Sequence, residues 1–208
     1  MPLEIRPITE ADLRDYVETA AKAFAGTLVA KISPPSEEST QKQIAKTLKS
    51  LKEEPDLRLL KVVDTELNDK VVACAKWRIN EKERTEEEIQ TMLPVPDREN
   101  DSAVSIELQE YLARVRRKYM GTKPFVFLSL LVVHPDHQRR GAGAQLLQWG
   151  IEKADELRLP CFLESSDAGK PLYLKYGFEP LEVTTWDNTK YGFEGITTNT
   201  CMIRPVPA

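Results

Sequence analysis

The amino-acid sequence predicts a single α/β domain, residues 1–208, with a mixed, mostly antiparallel sheet flanked by helices. Two patterns carry this prediction. Residues 125–133 form an almost wholly apolar run rich in β-branched and aromatic types, and residues 144–157 place apolar side chains at helical spacing, so a buried strand is followed by a helix. Residues 57–65 and 70–79 are strand-like runs joined by a polar turn, which predicts an antiparallel hairpin.

The composition restricts the class of protein. A chain of 208 residues with 41 % hydrophobic content can bury one sizeable core. Its net charge of −4 gives no electrostatic reason to expect a nucleic-acid partner, and no apolar run reaches the roughly 20 residues that span a membrane. The N-terminal residues lack the basic and apolar segments of a secretory signal. Cys74, Cys161 and Cys201 lie far apart in strand-like runs, so we expect buried free thiols in the cytoplasm.

Local signals predict the elements of the N-terminal part. Residues 3–8 alternate as a short strand, and Thr9 with Asp12 resembles a capping box at the start of the first helix. Residues 27–36 contain two consecutive prolines and predict a loop. Residues 36–52 predict an amphipathic helix.

A charged insertion, residues 81–121, precedes the central strand. It predicts one helix over residues 105–119 and no second domain, because the segment is too short and too polar for a core of its own. Beyond the central helix, residues 160–165 predict a short strand and residues 171–176 a short helix that begins with proline. A final pair of strands follows near the C-terminus.

The turn between the central strand and its helix has the features of an anion site. A helix N-terminus carries unpaired backbone N–H groups and the positive end of the helix dipole. Gly141 and Gly143 leave room for a diphosphate to approach the backbone, and Arg139 and Arg140 add positive charge. The turn has neither the Lys-Ser/Thr pair of a P-loop nor the full dinucleotide fingerprint. A glycine-containing turn with solvated arginines is the alternative interpretation.

Gln138, Gly141 and Gly143, between a buried strand and a helix, resemble the acyl-CoA signature of the GCN5-related N-acetyltransferases (GNAT). Residues 173–178 resemble the tyrosine and Gly-Phe segment of the same family, and the resemblance extends over about residues 125–181. It implies an acetyl-CoA-dependent acetyltransferase in which a central pair of strands splays apart and binds acyl-CoA. It also implies that the backbone after the strand holds the diphosphate, that the strand end pairs with the pantetheine arm, and that the amide of Val132 donates to the oxyanion. The acyl-CoA-binding residues are then Leu131, Val132, Val133, Gln138, Arg139, Arg140, Gly141, Ala142, Gly143, Ala144 and Gln145.

The catalytic candidates are Tyr173, Glu164 and Ser129. Tyr173 matches the family's tyrosine that acts as general acid, since a phenol with a pKa of about 10 holds its proton at neutral pH; a purely structural hydroxyl is the alternative. The strand positions that carry a base in several family members hold Phe127 and Ser129, neither of which can take a proton at neutral pH. Glu164 on the next strand is the nearest carboxylate, with a strand-end charge in water as the alternative. Deprotonation of the amine through a water chain, or an acceptor amine of low pKa, would leave no signature in the sequence.

The residues predict neither a metal site nor a covalent acyl-enzyme. His134 and His137 are too few ligands for zinc, and no nucleophile elbow or Cys–His pair is present. Direct transfer in a ternary complex is therefore expected. The predicted acceptor is the primary amine of a small molecule, and the enzyme is expected to be a monomer or homodimer. Acetylation of a protein N-terminus or lysine, and a non-catalytic acyl-CoA-binding module, are the alternatives.

Overall fold

The computed structural model describes residues 2–207, which group into two compact units, each built from two stretches of chain. The first unit comprises Met1–Ile79 and Val126–Glu156, and the second comprises Asn80–Phe125 and Leu157–Ala208. The single domain over residues 1–208 stays a prediction, and its terminal residues Met1 and Ala208 lie outside the described part of the chain.

The described residues form seven strands and seven α-helices. In chain order these are β1 Leu3–Pro7, α1 Leu13–Ala23, α2 Leu28–Ile32, α3 Glu37–Glu53, β2 Leu57–Asp64, β3 Lys70–Asn80, α4 Glu86–Met92, α5 Ala103–Tyr119, β4 Phe125–Val133, α6 Ala142–Leu157, β5 Cys161–Ser166, α7 Lys170–Lys175, β6 Glu179–Asp187 and β7 Ile196–Arg204. Strand β4 has the bounds predicted from its apolar run. Between residues 2 and 207 no helix is both long enough and apolar enough to cross a membrane.

Four strands of the first unit lie side by side in the order β1-β2-β3-β4. Strand β2 pairs with β1 and with β3 in antiparallel registers, so the predicted hairpin is confirmed. The contacts between β3 and β4 also run in opposite directions along the two strands. The backbone N–H of His134 donates to the carbonyl of Val72 at 2.8 Å, and the Ser129 hydroxyl donates to the carbonyl of Lys76 at 3.1 Å. This part of the sheet is therefore antiparallel throughout.

Helices pack on both faces of these strands. Leu13 and Val17 of α1, one helical turn apart, pack in a cluster with Cys74 of β3. Trp77 of β3 is fully buried and lies against Gly150 of α6, where an added Cβ would sit 2.1 Å from the indole ring. Because Cys74 and Trp77 are an odd number of positions apart on one strand, they face opposite sides of the sheet. Helices α1 and α6 therefore cover opposite faces.

The second unit contains three strands in the order β5-β7-β6, and both pairings are antiparallel. Helix α5, from the charged insertion, packs on these strands through Tyr111 and Val115, which form a buried cluster with Trp186 and Cys201. The rings of Tyr111 and Trp186 meet edge to face with centroids 4.9 Å apart. The insertion thus shares a core with the C-terminal strands. With helices and mostly antiparallel strands in both units, the predicted fold class is confirmed.

Two short helices correct the predicted boundaries. Helix α2 lies within residues 27–36, which were expected to be a loop, and helix α4 gives the insertion two helices instead of one. The start of α4 has a local cause: the N–H of Glu88 donates to the Thr85 hydroxyl at 3.2 Å, and the N–H of Thr85 donates to the Glu88 carboxylate at 2.7 Å. This is a capping box, so the sequence carried the signal for α4. The capping contact predicted for Thr9 is present, since its N–H donates to Asp12 at 2.8 Å.

Candidate functional site

The turn predicted to bind the diphosphate belongs to the first unit. After β4 the chain makes one 3-10 turn, Pro135–His137, and helix α6 begins at Ala142. The first helical hydrogen bond of α6 runs from the N–H of Gln145 to the carbonyl of Gly141 at 3.0 Å. The backbone N–H groups of Ala142, Gly143 and Ala144 therefore precede the helical hydrogen-bond ladder and are placed as donors to an anion.

Gly141 makes this turn open. Its φ is +90°, a conformation that L side chains rarely adopt, and an added Cβ would have no other atom within 4 Å. The next residue, Ala142, is buried, so its methyl group anchors the first turn of α6 in the core. A negatively charged group can approach the backbone here without meeting a side chain. The residues present therefore fit a diphosphate such as that of acyl-CoA.

The two arginines of the turn differ in their surroundings. Both are exposed, and Arg139 has a left-handed φ of +62°. Arg140 forms an ion pair with Asp64 of β2, with its Nη2 2.6 Å from Oδ2, and its Nη1 donates to Nδ1 of His137 at 3.1 Å. The charge of Arg140 is thus balanced within the protein. Sequence reasoning missed Asp64 and considered His137 only as a metal ligand, because the contacts of both residues with Arg140 depend on the fold.

The predicted pantetheine-binding residues lie at the end of β4, directly before this turn. Val132 is buried and packs in the same cluster as helix α1, whereas Leu131 and Val133 are half-buried. Ser129, two positions before Leu131, is also half-buried, and its hydroxyl proton is engaged by the carbonyl of Lys76. The structure therefore brings the strand residues and the turn together in one continuous segment of the first unit.

Tyr173 lies in helix α7 of the second unit and is 8 % exposed. Its ring meets Phe178 edge to face with centroids 5.9 Å apart, and the N–H of Phe178 donates to the carbonyl of Tyr173 at 3.1 Å. Gly169 permits this placement, since a Cβ there would lie 2.9 Å from the tyrosine ring. Burial raises the pKa of Tyr173, because the phenolate would be poorly solvated. The hydroxyl therefore keeps its proton at neutral pH and is available as a donor.

Glu164, in β5 of the second unit, is held by an arginine from the insertion. Its two carboxylate oxygens accept from Nε and Nη2 of Arg116 at 2.7 and 2.9 Å. The Glu164 side chain is only 7 % exposed. The alternative interpretation of a strand-end charge in water is therefore wrong. Its role as a base stays a prediction, and a base role would require the carboxylate to exchange contacts with Arg116 for a contact with the amine.

Cys74, Cys161 and Cys201 are buried free thiols, as predicted. Burial raises the pKa of Cys74 to about 12 and that of Cys201 to about 12, so neither is a thiolate at neutral pH. Across residues 2–207 no group of three or more His, Cys, Asp or Glu side chains is placed to hold a metal ion.

Together, the fold and the open turn define an α/β protein in which a glycine-containing turn connects the central strand to helix α6. Residues 105–180, which contain this turn and helix α7, match the family model described as acetyltransferase (GNAT) domain. Many solved acetyltransferase structures are similar over the whole chain. Over residues 105–180 the chain thus matches a GNAT acetyltransferase domain, which supports the predicted family and the predicted acyltransferase class.

Individual relatives share the fold or short segments. The chain is 43 % identical over 44 residues to a probable acyltransferase, SID5, from Ajellomyces capsulatus; the match covers 21 % of this chain and 32 % of that relative. A structure of histone acetyltransferase HPA2 and related acetyltransferase from Corynebacterium glutamicum has a TM-score of 0.64 at 18 % identity, covering 100 % of this chain and 98 % of that one. The putative acetyltransferase yncA from Salmonella typhimurium, solved with acetyl-CoA, has a TM-score of 0.61 at 16 % identity, covering 100 % and 95 %.

Proposed function

We propose that the protein transfers an acetyl group from acetyl-CoA to the primary amine of a small molecule, by direct attack in a ternary complex. The observation that carries the acetyl-CoA part is the open turn at Gly141, with backbone donors at the start of α6 inside a family-matched segment. The similar Salmonella structure was solved with acetyl-CoA, which supports the same co-substrate. The buried free thiols support a cytoplasmic protein.

In this proposal the chain performs four tasks. The backbone of residues 139–145 holds the diphosphate and residues 131–133 align the pantetheine arm. The amide of Val132 donates to the oxygen that gains negative charge when the amine attacks the thioester carbonyl. The hydroxyl of Tyr173 donates a proton to the departing sulfur, for which its raised pKa keeps it in the protonated form.

Removal of the amine proton is the least constrained task. The Ser129 hydroxyl is a donor to a backbone carbonyl, and both oxygens of Glu164 accept from Arg116. We therefore propose that the acceptor amine has a low pKa or loses its proton to water. Glu164 acts as the base only if it exchanges its contact with Arg116 for a contact with the amine. Glu164→Gln separates these routes, because glutamine retains one oxygen for Arg116 but cannot accept the proton. A fall of kcat by about 100-fold, measured at a temperature where the variant is fully folded, would identify Glu164 as the base.

Acetyl-CoA binding is tested by calorimetric titration of the wild-type protein and of Gly143→Asp. An aspartate at this position repels the diphosphate and fills the approach to the backbone, so binding should be lost. Gln148→Asp adds the same charge at an exposed position of the same helix and should bind like the wild type. Equal binding by Gly143→Asp and Gln148→Asp would show that the turn does not hold the diphosphate.

The acceptor class is tested by a thiol-release assay with a panel of small primary amines beside N-terminal and lysine peptides. Turnover with small amines and none with peptides is expected, and the reverse would reject the small-molecule proposal.

Tyr173→Phe should lower kcat by about 100-fold with little change in the KM for acetyl-CoA. An unchanged kcat would leave Tyr173 with a purely structural role.

A further inference from the structure

Arg140 lies in the turn that is predicted to bind acyl-CoA, but its side chain contacts other residues of the protein. The Asp64 carboxylate is 1 % exposed and accepts from Arg140 at 2.6 Å. The second oxygen of Asp64 accepts from the N–H of Glu66 at 3.1 Å, which fixes the carboxylate at the end of β2. Arginine is a fork with several donors, so one guanidinium can bridge two acceptors in fixed geometry. Here the two acceptors are Asp64 and His137.

The contact between Arg140 and His137 determines which ring nitrogen of the neutral imidazole carries the proton. Because arginine has no acceptor atom, Nδ1 of His137 must accept from Arg140, at 3.1 Å, and the ring proton of neutral His137 is then on Nε2. His137 is 8 % exposed and closes the 3-10 turn that leads from β4 to Gln138. The chain Asp64–Arg140–His137 therefore ties the end of β2 to both ends of the segment that precedes Gly141.

This network explains how Arg139 is kept in an unfavourable backbone conformation. A left-handed φ of +62° is costly for a residue with a side chain and persists only when the neighbouring residues enforce it. Arg140, directly after it, is anchored to Asp64, and His137, two positions before it, is anchored to Arg140. Both flanks of Arg139 are thus fixed through one buried carboxylate.

We propose that Asp64 is a positioning residue for acyl-CoA binding: through Arg140 and His137 it fixes the diphosphate turn, and it leaves Arg139 as the arginine that supplies positive charge to the ligand. This rests on the proposed function of the turn. The side chain of Arg140, which is 35 % exposed, then fixes the turn through Asp64 and His137 and does not contact the phosphate. Asp64 lies outside every motif that identifies the family in the sequence.

A measurement without ligand tests the network itself. The chain has two histidines, so a long-range 1H–15N correlation spectrum resolves each imidazole, with His134→Gln assigning the signals. In the neutral form of its imidazole, His137 should show the Nε2–H tautomer alone. Asp64→Asn and Arg140→Gln should both replace it with an average of tautomers. Asp69→Asn is the control, because Asp69 pairs with Arg6 and is 54 % exposed. An unchanged His137 signature in Asp64→Asn would overturn the proposal.

Binding measurements test the consequence for the ligand. Asp64→Asn and Arg140→Gln should each weaken CoA binding by about tenfold, the equivalent of one charge-assisted hydrogen bond, and leave pantetheine, which lacks the diphosphate, unaffected. The double variant should bind no more weakly than either single variant. Raising the salt concentration should weaken CoA binding equally in wild type and Arg140→Gln, but less in Arg139→Gln, because only Arg139 contributes charge to the ligand.

The opposite pattern identifies the competing arrangement. If Arg140 served the diphosphate, Asp64→Asn would release its guanidinium and tighten CoA binding, and Arg140→Gln would reduce the salt dependence; either result overturns the proposal. If the wild-type protein bound no CoA, the proposed function and the ligand role of Asp64 would fail together. The histidine spectrum would then still show whether the network exists. Intact CoA binding with an undisturbed spectrum in Asp64→Asn overturns the positioning role alone.

Discussion

The contact between Gly150 and Trp77 gives a prediction whose sign can be tested. An ideal Cβ at Gly150 would lie 2.1, 2.3 and 2.4 Å from three carbons of the Trp77 ring. Carbon atoms normally approach no closer than about 3.5 Å, so the methyl group of alanine overlaps the ring by more than about 1 Å. Trp77 is fully buried and its rigid ring has no flexible end to move aside. Helix α6 must therefore shift away from β3, or the indole must leave its rotamer.

Two opposing effects set the magnitude for Gly150→Ala. Alanine is better than glycine in a helix interior by about 1 kcal/mol, so without a clash the substitution would stabilise the protein. Inserting a carbon into a packed core costs typically about 1–3 kcal/mol, and an overlap this severe belongs at the upper end. The expected net effect is a destabilisation of about 2 kcal/mol. This corresponds to a fall in Tm of about 4–8 °C for a chain of this length.

Urea unfolding followed by circular dichroism measures this difference. Gln148→Ala, at an exposed position of the same helix, is the control and should change stability by less than about 0.5 kcal/mol. In a Trp77→Leu background, where the ring is removed, Gly150→Ala should be neutral or stabilising. A stabilising effect of Gly150→Ala in the wild-type protein, or an equal loss in both backgrounds, would refute the packing argument.

Further predictions concern charges of the second unit. Arg116→Met leaves the Glu164 carboxylate buried without its partner and should destabilise the protein by about 3–5 kcal/mol, and adding Glu164→Leu should restore most of that loss; urea unfolding of both variants decides. Arg114, Lys118 and Tyr119 lower the pKa of Glu182 to about 2 from 4.5, so its stabilisation is present above pH 4.5 and is lost as the pH falls towards 2. The contribution of these largely exposed partners is at most about 1 kcal/mol, and Glu182→Gln should reduce the pH dependence of unfolding in that range. An undiminished acid slope in Glu182→Gln would exclude it as a source.

Much of the fold follows from local patterns in the sequence. The apolar run of residues 125–133 determines β4 because a continuous apolar strand is stable only when buried, and the two runs before it form the predicted hairpin. The bounds of α2 and α4 were not predicted, since short helices carry little periodicity. For α4 the Thr85–Glu88 capping box was the available signal.

The candidate site likewise combines features that the sequence predicted with contacts that it did not predict. The backbone turn at Gly141, the helix after it and the resemblance of this segment to the GNAT domain were predicted from the sequence alone, because glycine spacing and a helix N-terminus act over a few neighbouring residues. The partners of the charged side chains were not. That Asp64 neutralises Arg140, that Arg116 holds Glu164, and that Gly150 admits Trp77 depends on residues brought together from distant parts of the chain. Only the tertiary structure decided these contacts, since the energy of a charge or a packed ring depends on what surrounds it and not on its neighbours in sequence.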